Sequence, residues 1–295
     1  MPPTDRWPPL PLLDWQDTYR SLHMWTQVVG KIRMTLTPPL NHWWHVTLYV
    51  SARGLTTSPI PYGTGVFEIA FDFVEHQLVI HDCVGERRAL PLEAVPVAEF
   101  YGRLMEALRS LGIVVAINTK PQEIADPVPF EQDHRPGAYD PDAVERLWRI
   151  LLSTTDAMNE FRGRFIGKSS PVHFFWGSFD LACTRFSGRP APLRKGVITG
   201  PAYSHEVISA GFWPGGGAMD GPAFYAYAAP QPAGLEEEQV EPAGASWNRQ
   251  LSEFILMHDD LRRAESPRKA LLEFFESTYE AAAKRAHWDR KALEA

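Results

Sequence analysis

Apolar residues recur along this chain with two different periods, and the periods alternate. From Asp14, a good N-cap, Trp15, Tyr19, Leu22, Trp25, Val29 and Ile32 return at three- and four-residue steps. That spacing predicts a helix ending before Pro38-Pro39. Between Trp43 and Arg53 the period falls to two, as on a half-buried strand. Trp44, Val46, Leu48 and Val50 point one way, and Trp43, His45, Thr47, Tyr49, Ser51 and Arg53 point the other. Gly54, Pro59, Pro61 and Gly63 supply turn chemistry. Further strands are expected at 67–73, 78–80 and 88–92, then a helix over 97–111 and a closing strand at 113–118. Residues 120–139 carry four prolines and no period, so they read as a linker or long loop.

The pattern then restarts. Asp140-Pro141 pairs an N-cap with a first-turn proline, and Val144, Leu147, Leu151, Met158, Phe161 and Phe165 carry the apolar face of the helix they open. Val172-His173-Phe174-Phe175-Trp176 echoes Asn41-His42-Trp43-Trp44-His45 at the entry to the following strand. More strands are expected near 205–213, 223–228 and 254–258, with surface loop filling most of 214–245 and a last helix over 267–288. The expected architecture is α+β: two similar helix–strands–helix halves, residues 1–125 and 140–295, pseudo-duplicated and forming one compact unit. The sheet should be mostly antiparallel, with helices packed on one face. Two unrelated α+β halves would also look alike, because binary patterning is a small menu.

Composition narrows the function classes. Of 295 residues 44% are hydrophobic and 22% charged, enough for a sizeable core. A formal net charge of -7 argues against a general nucleic-acid partner, which needs clustered Lys and Arg. Cys83 and Cys183 are the only cysteines, so neither a disulfide framework nor a Cys-based zinc site is expected. No apolar run approaches the roughly 20 residues that span a bilayer, and the N-terminus lacks the form of a signal peptide. A cytoplasmic protein with no membrane partner is expected.

Asn41-His-Trp-Trp-His, Ser170-Pro-Val-His-Phe-Phe-Trp-Gly-Ser-Phe-Asp-Leu-Ala, Tyr203-Ser-His-Glu-Val and Ala210-Gly-Phe-Trp-Pro-Gly resemble a bacterial domain-of-unknown-function family. The resemblance runs nearly full length, from Trp7 to the last helix. It implies a stand-alone bacterial cytoplasmic protein and brings no activity or cofactor.

Familiar catalytic signatures are absent: no dinucleotide fingerprint, no phosphate loop and no nucleophile elbow. Gly167-Lys168-Ser169 has the tail of a phosphate loop without its first glycine and is set aside. Candidate chemistry is therefore histidine-centred. His42 and His45, three apart, face opposite sides of a strand but converge if Asn41 to Trp43 form a turn, and His173 matches His42 in the second half. Each of these also suits a plain structural role, tying a helix-to-strand turn. An aromatic followed by small polar groups and one charge suits a pocket. His45, Thr47, Tyr49, Ser51 and Arg53 offer such a face in the first half, and Trp176, Ser178, Asp180 and Thr184 in the second. A solvated sheet face alternates in the same way. His205 meeting Asp180 across neighbouring strands would give an oriented imidazole for proton transfer. With His45 the same two residues would make a metal triad.

The leading expectation is an enzyme acting on a small, anionic organic molecule, with His205 and Asp180 moving the proton. Trp43 and Trp176 would form the aromatic wall, and Arg53, with Lys31 and Arg185 as further candidates, would hold the anion. His42, His45, Tyr49 and His173 would line the cleft. A non-catalytic small-molecule or cofactor-binding protein is the alternative. The cofactor and oligomeric state stay open.

Overall fold

The computed structural model describes residues 5–217 and 219–295. Helix α1 (Leu12–Leu36) leads, through a single 3-10 turn at Asn41–Trp43, into six strands: β1 (Tyr49–Ser51), β2 (Gly54–Thr56), β3 (Ile60–Tyr62), β4 (Gly65–Asp72), β5 (Gln77–Asp82) and β6 (Arg87–Pro91). Helix α2 (Val97–Ser110) and a long connection follow, then α3 (Pro141–Gly163), β7 (His173–Phe175), β8 (Asp180–Pro190) and the short α4 (Thr199–Ala202). The chain closes with β9 (His205–Trp213), β10 (Ala223–Ala229), β11 (Ser246–Asn248), β12 (Glu253–Met257), α5 (His258–Arg262), α6 (Pro267–Arg285) and α7 (Arg290–Leu293). All ladders are antiparallel. The first sheet runs β1-β2-β4-β5-β6 with β3 beside β4, and the second runs β11-β12-β10-β9-β8-β7. The fold is α+β.

Helix α1 is the element both halves share. Every residue from Ser21 to Arg33 is buried, which an ordinary surface helix never shows. One side serves the first half, where Trp25 stacks on Phe100 of α2 with ring centroids 4.9 Å apart. The other side serves the second half. Tyr19 and His23 each sit 5.0 Å from the Phe179 ring, and the Trp176 indole lies against Gly30. That indole donates its N–H to the Val46 carbonyl at 2.8 Å, so it also ties the α1–β1 connection to the second sheet.

The sheets meet edge to edge. Leu48 and Phe174, both fully buried, exchange two backbone hydrogen bonds of 2.9 Å, which aligns β1 with β7. Helices α3 and α6 cover one face of the second sheet. Asp140 caps α3 as its sequence implies, accepting from the backbone N–H groups of Asp142 (3.0 Å) and Ala143 (3.2 Å).

Three expectations need correction. Helix α1 begins at Leu12, so Asp14 lies in the first turn and Pro11 holds the cap. The strand expected from Trp43 starts only at Tyr49, because His42 and Trp43 take left-handed backbone (φ 59° and 60°) and the chain turns there. Residues 113–118 run extended without a ladder partner and form no strand.

Exchanging a mid-helix glycine for alanine normally stabilises a helix by about 1 kcal/mol. At Gly30 the added methyl would collide with the Trp176 indole, and overpacking of that kind costs about 1–3 kcal/mol. With the nearest indole atom well inside van der Waals contact of the added carbon, the cost falls at the upper end, so Gly30→Ala is expected to lower unfolding free energy in urea by roughly 1–2 kcal/mol net. A gain instead would mean that the indole is free to move.

Candidate functional site

The face of the second sheet opposite α3 and α6 carries polar side chains set among small and apolar ones, most of them buried, and the joint extends it into the first sheet. Because Leu48 lies opposite Phe174, Tyr49 lies opposite His173, with rings 5.5 Å apart. His173 pairs with Ala182, Ala182 with Gly211, Gly211 with Tyr225 and Tyr225 with Ile255, so one row crosses both sheets. In the adjoining row the Thr184 and Ser209 hydroxyls are 2.9 Å apart, and Tyr227, opposite Ser209, meets the Tyr203 hydroxyl at 3.2 Å. Hydroxyls fill the middle of this face; charged groups collect at its two ends.

One end is acidic. Asp180 opens β8 and is buried, and its carboxylate accepts hydrogen bonds from Ser178 Oγ and Tyr225 Oη. Tyr225 reaches it by lying across Gly211, where any Cβ would meet the phenol ring. Among the described residues no Lys, Arg or His forms a salt bridge to Asp180. Burial pushes its carboxyl above the usual range. Burial, with Asp180 nearby, pushes Glu253 of β12 up to about 7 and raises Glu123 as well. Tyr19 of α1 completes this end, its phenol pushed up to about 12 mainly by burial.

The other end is basic. The turn at Asn41–Trp43 aims His42 at Phe186, with centroids 4.6 Å apart, and His205 is 5.9 Å from His42. His42 donates Nδ1–H to the Ala202 carbonyl at 3.2 Å and accepts from Lys168 Nζ at 2.9 Å through Nε2. Burial, and then the Lys168 charge, lowers the His42 pKa. Trp44 sits between this group and His173, 5.6 Å from one ring and 5.8 Å from the other. Both His173 nitrogens lack a partner, and burial pushes its pKa down to about 3.

A family model described as "Family of unknown function (DUF5996)" matches residues 7–295. The chain belongs to DUF5996. No curated protein and no solved structure matches it. In this DUF5996 chain, no helix among the described residues is long and apolar enough to cross a membrane.

The DUF5996 structure regroups the residues singled out from sequence. Tyr49, His173, Asp180 and Thr184 do share a face. His205 and Asp180 do not meet: they stand at opposite ends of the β8–β9 ladder, His205 opposite Pro190 and Asp180 one step beyond the Leu181–Phe212 pair. At about 3.3 Å per residue that is roughly 25 Å, so the imidazole–carboxylate pair is withdrawn. The His45, His205, Asp180 metal triad falls with it, and no group of three or more His, Cys, Asp or Glu among the described residues is arranged to hold a metal ion. His42 and His45 lie on a turn yet part company, since His45 stacks on Trp43 (5.5 Å) and accepts from the Leu40 N–H.

Arg53 is exposed and taken by Asp72 at 2.6 Å, far from any aromatic wall. Trp176 is a core side chain in a turn. Trp43 alone keeps a wall position, donating its indole N–H to the Ile198 carbonyl at 3.0 Å. Arg185 is buried over the Phe161 and Tyr279 rings with Glu276 at 3.4 Å, and Lys31 is fully buried on the core side. Lys168, Tyr225 and Glu253 were missed. Tyr225 and Glu253 carried only strand alternation, and Lys168 was read as part of a failed phosphate-loop match. A groove of about 430 Å³ between α3 and α6 is lined by Glu160, Arg164 and Arg268, whose charges already pair with one another.

His173 gives a pH test. Its folded pKa is depressed, so its contribution is fully present above the ordinary value near 6.5 and is lost as pH falls toward 3. His173→Phe removes that loss and the two unpartnered nitrogens. Thermal denaturation should show the variant gaining more at pH 5 than at pH 7.5, by roughly 2 kcal/mol of differential stability. Equal changes at both pH values would show the imidazole to be solvated.

Proposed function

We propose that this protein acts on a small organic molecule by proton transfer at the acidic end of the open face. Asp180 is the proton-carrying group and Tyr225 its hydrogen-bonded partner. The observation that carries the reading is a buried carboxyl whose side-chain donors are hydroxyls, with no cation paired to it among the described residues, and whose pKa burial raises. Burial without a neutralising cation is the usual means of bringing a carboxyl toward the pH at which it can both take and give a proton. Glu253, which titrates near neutral pH, is a second carboxyl able to exchange protons with solvent. Tyr19, Trp213, Tyr225 and Tyr227 supply flat apolar surface with polar tips, suited to seating a ring or chain.

One observation favours a non-catalytic binding protein on the same face. Tyr225 closes over Asp180, and both are buried. A proton-transfer site therefore requires Tyr225 to move aside for substrate.

Carboxyl-carbon NMR of labelled protein between pH 5 and 9 separates the readings. Proton transfer expects Asp180 and Glu253 to titrate in this interval as a coupled pair, and Asp180→Asn to return Glu253 toward the ordinary value near 4.5. Ligand-observed NMR against a library of small aromatic acids, amines and carbonyl compounds should then find binders lost in Asp180→Asn and Tyr225→Phe. An Asp180 signal that stays ionised across the whole range would end the acid–base role. Binders retained in both variants would move the ligand elsewhere.

A further inference from the structure

The basic end of the open face is not used by the Asp180 reading and does not depend on it. Its floor is a small aromatic cluster in which Phe186, Val207 and Ala229 pack with Trp44, Tyr203 and Tyr227. Two cations rest on these rings. Lys168 Nζ is 4.7 Å from the Phe186 centroid and 5.2 Å from that of Trp44, and the Arg194 guanidinium is 4.2 Å from the Tyr203 centroid. Such contacts leave the charge unneutralised.

Neither cation forms a salt bridge among the described residues, although Arg53, Arg103, Arg268 and Arg290 all do. Glu206, next to His205 in the chain, is already engaged by Arg189 at 2.7 Å and by Ser187 at 2.9 Å. Behind Trp44 and His173 lies Arg33, buried over Tyr49, with Nη1 unpartnered and Nε spent on the His45 carbonyl. It adds positive potential through a medium that screens poorly.

Orientation is fixed as well as charge. Because His42 donates from Nδ1 to Ala202, its Nε2 can only accept, and it holds one N–H of Lys168. The remaining ammonium protons are free to point outward. His205, linked through Nδ1 to Ser204 Oγ at 3.1 Å, keeps Nε2 available beside them. Ser204 in turn accepts from Asn41 at 3.2 Å. Two successive left-handed residues, His42 and Trp43, are held in place here, and such conformations persist only where their surroundings over-determine them.

We infer that this end of the face is a binding site for a small organic oxyanion, a phosphate monoester or a carboxylate, held by Lys168, Arg194 and His205 over the half-buried Trp44 and Tyr203 rings. An ammonium and a guanidinium supply the charge, a guanidinium adds a two-pronged grip, and the rings take the organic part.

Calorimetric titration of the full chain at low ionic strength with inorganic phosphate, phenyl phosphate and benzoate tests this. Saturable binding of phenyl phosphate or benzoate, tighter than inorganic phosphate, is expected. The preferred aromatic anion identifies the natural headgroup as phosphate or carboxylate. Lys168→Met keeps the apolar stem on the rings and should weaken binding about tenfold, as should Arg194→Met, whereas His205→Gln should cost about threefold. Asp180→Asn should bind like the parent, which separates failure here from failure of the proton-transfer reading. Absence of saturable binding by all three anions overturns the proposal, as does unchanged affinity in both folded Met variants. Inorganic phosphate binding as tightly as phenyl phosphate would remove the aromatic floor and overturn it as a site for an organic anion. If Lys168→Met fails to fold, Arg194→Met, at an exposed position, carries the test.

Discussion

Two backbone hydrogen bonds between Leu48 and Phe174 set the geometry on which everything else rests. Each sheet alone would present an edge, and an unpaired edge is an invitation to wrong partners. Joining them edge to edge satisfies both edges and fixes the register between halves. Register is unforgiving in a sheet, since a slip of one residue turns every side chain to the other face. A one-place shift here would send Tyr49 and His173 into the core and bring Leu48 and Phe174 out. The buried α1 reinforces the joint from behind, with Trp176 seated on Gly30 and hydrogen-bonded to Val46.

Buried polarity in this molecule is not distributed evenly. On the helix-covered side, Lys31 and Arg185 lie among aromatic rings, Arg185 with Glu276 as a partner and Lys31 with Trp176 5.9 Å from its ammonium. Arg185 is answered by Glu276 and the Phe161 carbonyl, whereas the Lys31 ammonium has no hydrogen-bond partner among the described residues. On the open face the two kinds of charge stand apart, carboxyls around Tyr225 and bases around His42. Each group therefore keeps unspent capacity for an outside molecule. His23, His173 and His258 are all held neutral by burial, with pKa values pushed down to about 4, 3 and 4. They act as rigid, shaped polar plates more than as proton carriers.

Much of the fold was legible because its elements follow simple periods. The three-and-four spacing of Trp15 to Ile32, the Asp140-Pro141 cap and the strands expected near 205–213 and 223–228 correspond to elements close to where the sequence places them. After residue 140 the chain forms a second antiparallel sheet, with a strand order of its own. Where reading failed, a local conformation overrode periodicity. Trp43 and His45 alternate like strand residues, yet two consecutive positive φ angles turn that segment into a corner. Nothing in the residue types announces this, since a bulky Trp rarely adopts such backbone. The candidate site was half legible. Choosing Tyr49, His173 and Asp180 required only knowing which face they share. Pairing His205 with Asp180 required the β8–β9 register, and antiparallel strands that both begin with a functional residue put those residues at opposite ends. Lys168 and Tyr225 gain their meaning from cross-chain neighbours that no local pattern encodes.

The left-handed pair at His42 and Trp43 has a consequence for how the molecule is assembled. Their side chains are pinned by carbonyls of Ala202 and Ile198, more than 150 positions further along. The corner belongs to the amino-terminal part of the chain, yet the groups that hold it are synthesised only after more than 150 further residues. During translation the early segment is free to explore relaxed backbone, and it is driven into its final shape only when the later strap docks. Closure of the basic end thus waits on residues 198–205, so a polypeptide ending before Ile198 would carry His42 and Trp43 without the carbonyls that hold them.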